Sequence, residues 1–341
     1  MFPNKISRRR FITAGSLFAS FGMIRKLLVA GPKSPLTKME RVKAVLRAER
    51  VDRPPFTFWH HFGLEKMPGE KHAEATLEFY RKFDVDLLKV MSDYPYPLPA
   101  SLDAITESSD WKKFEPVKNP FPEQLKALKL IDKELKGRAP FVETIFHSWT
   151  VLEKLTSKRT VEQLKQEDPS TLKRVLRVIS ESQGNHARLA LDAGAAGIFL
   201  AVAAADNSVM DPQDYLKFVR ESDLMILDAV KDKGYLNILH IHGNSPHFET
   251  LLSYPVHVMN YSVYGTGISL NEMKKRFSGT LMGGVDERNI ATLTDDALKG
   301  EIQEAIQAMQ KRRLILAPGC SVPNDIADGP LLKVKEFVLE A

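Results

Sequence analysis

The sequence predicts one α/β domain of the (β/α)8 TIM-barrel class, preceded by a short signal segment. Three observations carry that prediction. Eight short apolar runs recur along the chain, and amphipathic stretches of helical period separate them. No glycine-rich GxGxxG turn follows the first run, which argues against a doubly wound dinucleotide-binding sheet. At 341 residues and 43% apolar, the chain can bury one large core.

Residues 1–31 stand apart. They carry six basic and no acidic side chains, and Ser7-Arg8-Arg9-Arg10-Phe11-Ile12 fits the twin-arginine export pattern. The apolar stretch Phe11–Ile24 is shorter than the ~20 residues that comfortably span a bilayer. Leu28-Val29-Ala30 is a poor small-x-small cleavage site, so the segment is expected to be cleaved or kept as an anchor. The leader predicts passage through the twin-arginine translocase to a periplasmic or other extracytoplasmic destination. Once it is set aside, the net charge of +5 falls to −1 for the rest of the chain. The pI of about 9.0 therefore says little about the body of the protein, and no basic run interleaved with aromatics points to nucleic acid. The single cysteine, Cys320, excludes an intramolecular disulfide. In an oxidising compartment it is expected to be buried, paired between chains or bound to metal.

The barrel domain is read over residues 36–341. Its first helix opens at TKMERVKAVLRAE, where Thr37 and Glu40 have capping-box spacing and Met39, Val42, Val45 and Leu46 recur on one face. Apolar runs follow at 56–62, 86–91, 140–146, 197–203, 235–243, 256–262, 280–286 and 313–319, each read as a strand. The helical stretches between them include STLKRVLRVISESQGNHARLALDAG, DPQDYLKFVRESDLMILDAVKDKG and DDALKGEIQEAIQAMQK. DYPYPLPAS (93–101) reads as a proline-rich loop.

In such a barrel, function collects where strands end and the following loops begin. The first four ends carry His60 and His61, Asp93, Glu143 with His147, and Asp206. The last four carry His240 with His242, Asn260 with Tyr261, Asp286 with Arg288, and Cys320. Polar and metal-capable groups thus gather at one set of ends, which points to an enzyme with a small-molecule substrate. Residues i and i+2 of a strand share a face, so His240 and His242 can address one ion, and Cys320 can reach it across the mouth. Three protein ligands leave a tetrahedral position open, the arrangement of catalytic zinc, and the donor set puts zinc first. Each residue also has a plainer reading: a structural His pair, a buried thiol, Asp93 capping a turn, His147 packing beneath Trp149, Asp286 bonding to loop backbone. As functional groups, Asp93, His147 and Asp286 are catalytic candidates. His60, His61, Tyr261 and Arg288 are substrate-binding candidates, and strand geometry lets at most one of His60 and His61 face the site.

These segments also resemble a known family. ERVKAVLRAERVDRPPF (40–56) resembles the opening of the uroporphyrinogen decarboxylase superfamily, MSDYPYP (91–97) its second-strand Ser-Asp motif, and TIFHSWTVLEKL (144–155) its third-strand segment. LHIHGN (239–244), GGVDERN (283–289) and LAPGCSVPND (316–325) resemble its fifth, seventh and eighth strand ends. The resemblance runs through residues 36–341 and implies a (β/α)8 barrel.

What it implies about activity divides. True uroporphyrinogen decarboxylases use no metal and grip substrate carboxylates with two arginines. In this chain His60 and Leu64 stand in those places, although Asp93 matches the aspartate that contacts the pyrrole nitrogens. The methylcobamide-dependent thiol methyltransferases carry zinc on a His-x-Cys and a later Cys. Here those positions are His240, His242 and Cys320, with histidine replacing the first cysteine. Asp286 matches the family's strand-seven aspartate. Three readings follow: zinc-dependent methyl or alkyl transfer, or hydrolysis; a decarboxylase of tetrapyrrole synthesis working through Asp93; and an exported barrel that binds a ligand or metal without turnover. The first implies a corrinoid methyl donor on a partner protein, although such partners are cytoplasmic and the leader points outward. Related barrels often pair, so the resemblance admits a homodimer, and the sequence leaves the oligomeric state open.

Overall fold

The computed structural model describes residues 35–341, and the expected export leader lies outside the described residues. Seven parallel strands follow one another in the sheet in chain order. They are β1 (Leu88–Val90), β2 (Phe141–Phe146), β3 (Gly197–Val202), β4 (Ile238–Ile241), β5 (Val258–Tyr261), β6 (Thr280–Val285) and β7 (Leu314–Pro318). Helix-bearing crossovers join them, as parallel pairing requires.

The eighth strand, expected over 56–62, is a correction. That segment makes one bridge, Phe56 to Leu316. It is nonetheless hydrogen-bonded on both sides: Leu316 N donates to Pro55 O at 2.8 Å, Thr57 N to Leu316 O at 3.0 Å, and Asp86 N to Phe56 O at 2.9 Å. It therefore ties β7 to the approach to β1 and closes the curled sheet into a barrel. Pro54 and Pro55 lack the N–H groups that would extend the ladder, so the seam stays short.

Strand alternation sorts the core into two layers. Val90, Ile145, Leu200, Leu239, Ile241 and Leu316 face outward onto the helices. Leu87, Met91, Val142, Phe199, Ile238, Met282 and Ile315 fill the barrel. Helix α1 (Lys38–Leu46) begins at the expected Thr37–Glu40 capping box. Its Val42, Ala44 and Val45 join the inner layer, and Thr280 Oγ1, at the start of β6, donates to Val45 O at 3.0 Å. Thus α1 stoppers the end of the barrel where strands begin and leaves the other end for the site.

A buried ionic knot holds the stopper. Arg41, 4% exposed, donates to Asp86 at 2.7 Å and to Asp52 at 2.8 Å, while Arg53 donates to Asp86 at 2.6 Å. The long helices Pro169–Asp192 and Asp295–Met309 form where helical spacing places them. The stretch after Asp211 is interrupted by a π turn at Tyr215–Val219 before continuing as Arg220–Asp228. No helix among the described residues is long and apolar enough to cross a membrane.

Candidate metal centre

His240 lies on β4 opposite Asn260 of β5. Asn260 Nδ2 donates to two carbonyls, Met282 O at 2.9 Å and Pro318 O at 3.1 Å, which fixes its Oδ1 as an acceptor. His240 Nδ1 lies 2.6 Å from that oxygen, so Nδ1 carries the proton and Nε2 keeps its lone pair for a ligand. His242 follows in the same extended register, its N–H donating to Val202 O at 2.9 Å.

Two glycines place the ligands. Gly243 has φ +112°, and a Cβ there would meet Asp206 Oδ2 at 2.1 Å. A Cβ on Gly319 would meet Ser262 Cα at 2.1 Å, so only glycine lets the chain after β7 pass this close to the end of β5. Glu287 pins that passage, accepting from Gly319 N at 2.9 Å and from Ser262 Oγ at 2.5 Å. Cys320 is thereby delivered over β4.

The ligand atoms of His240, His242 and Cys320 all lie within 4.8 Å of one another, and Cys320 Sγ is 3.6 Å from His242 Nδ1. A tetrahedral zinc with Zn–S and Zn–N bonds of about 2.3 and 2.0–2.1 Å sets sulfur and nitrogen about 3.6 Å apart. The donor set therefore fits the ion. Burial alone would raise the Cys320 thiol, but hydrogen bonds and charge from the two imidazoles bring it down to about 4. The same contact raises His242 above the ordinary histidine range, against the opposing effect of burial. Both shifts favour a thiolate beside a protonated imidazole when no metal is bound. Among the described residues the cluster contains no fourth protein ligand, which leaves a position for substrate.

The cluster forms a neck between two spaces. Inward lies a cavity of about 240 Å³ walled by Trp59, Met91, Phe199 and Lys89. Outward lies a chamber of about 510 Å³ that includes Arg288 and Asn244, and His61, His242 and Cys320 border both. Of the paired histidines, His61 faces the neck. His60 turns away, its ring 4.9 Å from Phe62 and 5.3 Å from Phe79.

Asp93 sits beside the neck with Oδ1 2.5 Å from His61 Nδ1, and it borders an adjoining cavity of about 160 Å³. Burial alone would raise its carboxyl, but the His61 bond holds it below the usual carboxylate range. Asp286 takes its plainer role: it accepts from Arg288 N at 3.0 Å and Asn289 Nδ2 at 2.7 Å and lines neither space.

Two candidates point elsewhere. His147 is fully buried and lines neither space. Its Nε2 accepts from Ala203 N at 3.2 Å, so Nδ1 donates to Asp223 at 3.1 Å, and no nitrogen is left for acid–base work. Tyr261 is buried on the outer face of β5, its hydroxyl donating to Ile268 O at 3.1 Å. Lys89, Trp59 and Phe199 were not singled out from the sequence, because each sits within an apolar run. The one signal for Lys89 is that it shares the alternating face of Leu87 and Met91.

A profile of the uroporphyrinogen decarboxylase (URO-D) family matches residues 37–339. The chain belongs to the URO-D family. Two solved structures are similar to this URO-D chain over most of its length. One is a methyltransferase from Methanosarcina mazei, with 17% identity and a TM-score of 0.71, covering 89% of this chain and 99% of that one. The other is a B12-independent methionine synthase from Shewanella sp. W3-18-1 in complex with selenomethionine, with 12% identity and a TM-score of 0.58, covering 84% of this chain and 93% of that one. No curated protein matches the chain. At these identities the likeness establishes the URO-D fold and leaves the chemistry to the site.

Proposed function

We propose that this URO-D family protein is a zinc-dependent enzyme that transfers a methyl or other small alkyl group between a carrier and a thiol. The observation that carries the reading is the convergence of His240, His242 and Cys320 to within 4.8 Å at the neck of an apolar cavity. Zinc held there supplies the positive charge that keeps a substrate thiol ionised at neutral pH. The chain's own residues do the rest. Asn260 holds His240 in the ligating tautomer, the already ionised Cys320 needs no proton removed, and Trp59 and Phe199 keep water from the reacting carbon. The printed names of the two similar structures, a methyltransferase and a methionine synthase, agree with methyl transfer as the reaction.

Porphyrinogen decarboxylation is the weaker reading. His60, where the resemblance puts one arm of the carboxylate clamp, packs on the aromatic rings of Phe62 and Phe79 instead. From its leader we infer export, which would part the enzyme from a cytoplasmic corrinoid donor.

The test combines metal analysis with thiol methylation on protein matured through its own export route. One equivalent of zinc is expected in the wild type, with loss of both zinc and transfer in His240→Ala and Cys320→Ala at unchanged circular dichroism. Wild type that binds no zinc, or metal-free wild type that transfers as fast as the zinc-loaded protein, would refute the reading.

A further inference from the structure

We propose that Lys89 is a nucleophilic amine that captures the carbonyl group of a small aldehyde or ketone in the inner cavity. The proposal goes beyond the zinc reading and does not depend on it.

Lys89 is the central residue of β1 and points into the barrel, 5% exposed, where the strands otherwise place Leu87, Val142, Phe199 and Ile238. Its ammonium nitrogen lies 5.3 Å from the Trp59 ring centre and 4.8 Å from that of Phe199. Among the described residues its one hydrogen-bond partner is the Met91 thioether at 2.6 Å, a weak acceptor. The acidic groups nearest in charge are engaged elsewhere, Cys320 first among them, its Sγ 3.6 Å from His242 Nδ1. Glu143 bonds His186 and Gln124, each at 2.9 Å, and Asp93 bonds His61. A buried ammonium without a counter-ion is costly, and the amine escapes that cost by shedding its proton. Burial accordingly lowers Lys89 to about 7 against the opposing charges of Cys320, Asp93 and Glu143.

A neutral amine in an apolar cavity with an open neck is the setting in which lysine attacks carbonyls. The Nζ lone pair adds to the carbonyl carbon, and a proton passes from nitrogen to the former carbonyl oxygen to give a carbinolamine. Loss of water leaves an imine. No oxidant or reductant is needed. The aromatic walls select a short aliphatic or aromatic carbonyl compound over a highly charged one.

The experiment treats the full chain with benzaldehyde and cyanoborohydride at pH 7, which reduces any imine to a stable benzyl amine, and maps the labelled peptides by mass spectrometry. An ordinary exposed lysine is less than about 0.1% neutral at that pH. Lys89 is therefore expected to label at least about tenfold faster than exposed Lys66 and Lys118. Lys89→Met should lose only that label, and the wild-type map stands even if this variant fails to fold. Labelling of Lys89 no faster than of Lys66 and Lys118 would overturn the proposal. The same map on chelator-treated protein separates the two readings, since fast labelling there supports Lys89 whatever the metal analysis finds.

Discussion

His242 and Asn260 set the behaviour of the site at the scale of single residues. The contact between Cys320 and His242 lowers the thiol to about 4 and raises the imidazole, so the pair shares a proton that metal must displace. Zinc binding at pH 7 is therefore expected to release about one proton, with affinity falling as pH falls below neutrality. Calorimetry in buffers of differing ionisation enthalpy reads that number, and zero net release would contradict the thiolate–imidazolium pair. Asn260→Ala removes the acceptor that fixes the His240 tautomer, and zinc affinity is expected to drop about 10–100-fold. A competition titration against a chromophoric chelator checks it. The sequence showed the two histidines and the cysteine as strand-end donors, and the resemblance paired them. It did not reveal Asn260's role, because only the two carbonyls around its amide show which way the side chain is turned.

Among the elements, the closing seam and α1 carry the stability of the barrel's far end. Asp86 is fully buried between Arg41 and Arg53, so Asp86→Ala leaves Arg53 without a carboxylate and Arg41 with Asp52 alone, and is expected to cost about 3–5 kcal/mol in denaturant unfolding. Asp52 adds a pH signature. Burial works against it, but its bond to Arg41 lowers its carboxyl to about 2 from an ordinary 3.8. A carboxyl depressed in the folded state stabilises above its unfolded value and loses that contribution as pH falls through the folded one. The stability gap between wild type and Asp52→Asn is therefore expected at pH 5 and above and should close between about pH 4 and 2. A gap undiminished at pH 2 would exclude the ion pair as its source. Seven of the eight runs were legible as strands because burial on both faces leaves continuous apolar segments. FTFWHHF has the same composition, but Pro54 and Pro55 shorten its ladder and aromatic packing, rather than pairing, decides where His60 points.

Across the whole molecule, the order of motifs made the barrel legible, and β-strand periodicity limited what could be said of the site. At a strand end, neighbouring residues face opposite sides, and an error of one position exchanges them. His147 and Tyr261 fell on the outer side for that reason, and Lys89 was hidden inside because one lysine in an apolar run reads as an edge of the pattern. The leader bears on where this chemistry takes place. If Ser7–Ile12 directs export, Arg8→Lys combined with Arg9→Lys should hold the protein in the cytoplasm with its melting temperature unchanged. Cell fractionation checks this, and undiminished export of the double variant would remove the extracytoplasmic assignment.

The zinc centre is the central claim, and zinc X-ray absorption on the natively matured protein tests it most directly. The account predicts one zinc per chain with two nitrogen neighbours from histidine at about 2.0–2.1 Å and one sulfur at about 2.3 Å. A zinc spectrum without the sulfur neighbour, or protein that carries no metal at all, would contradict it.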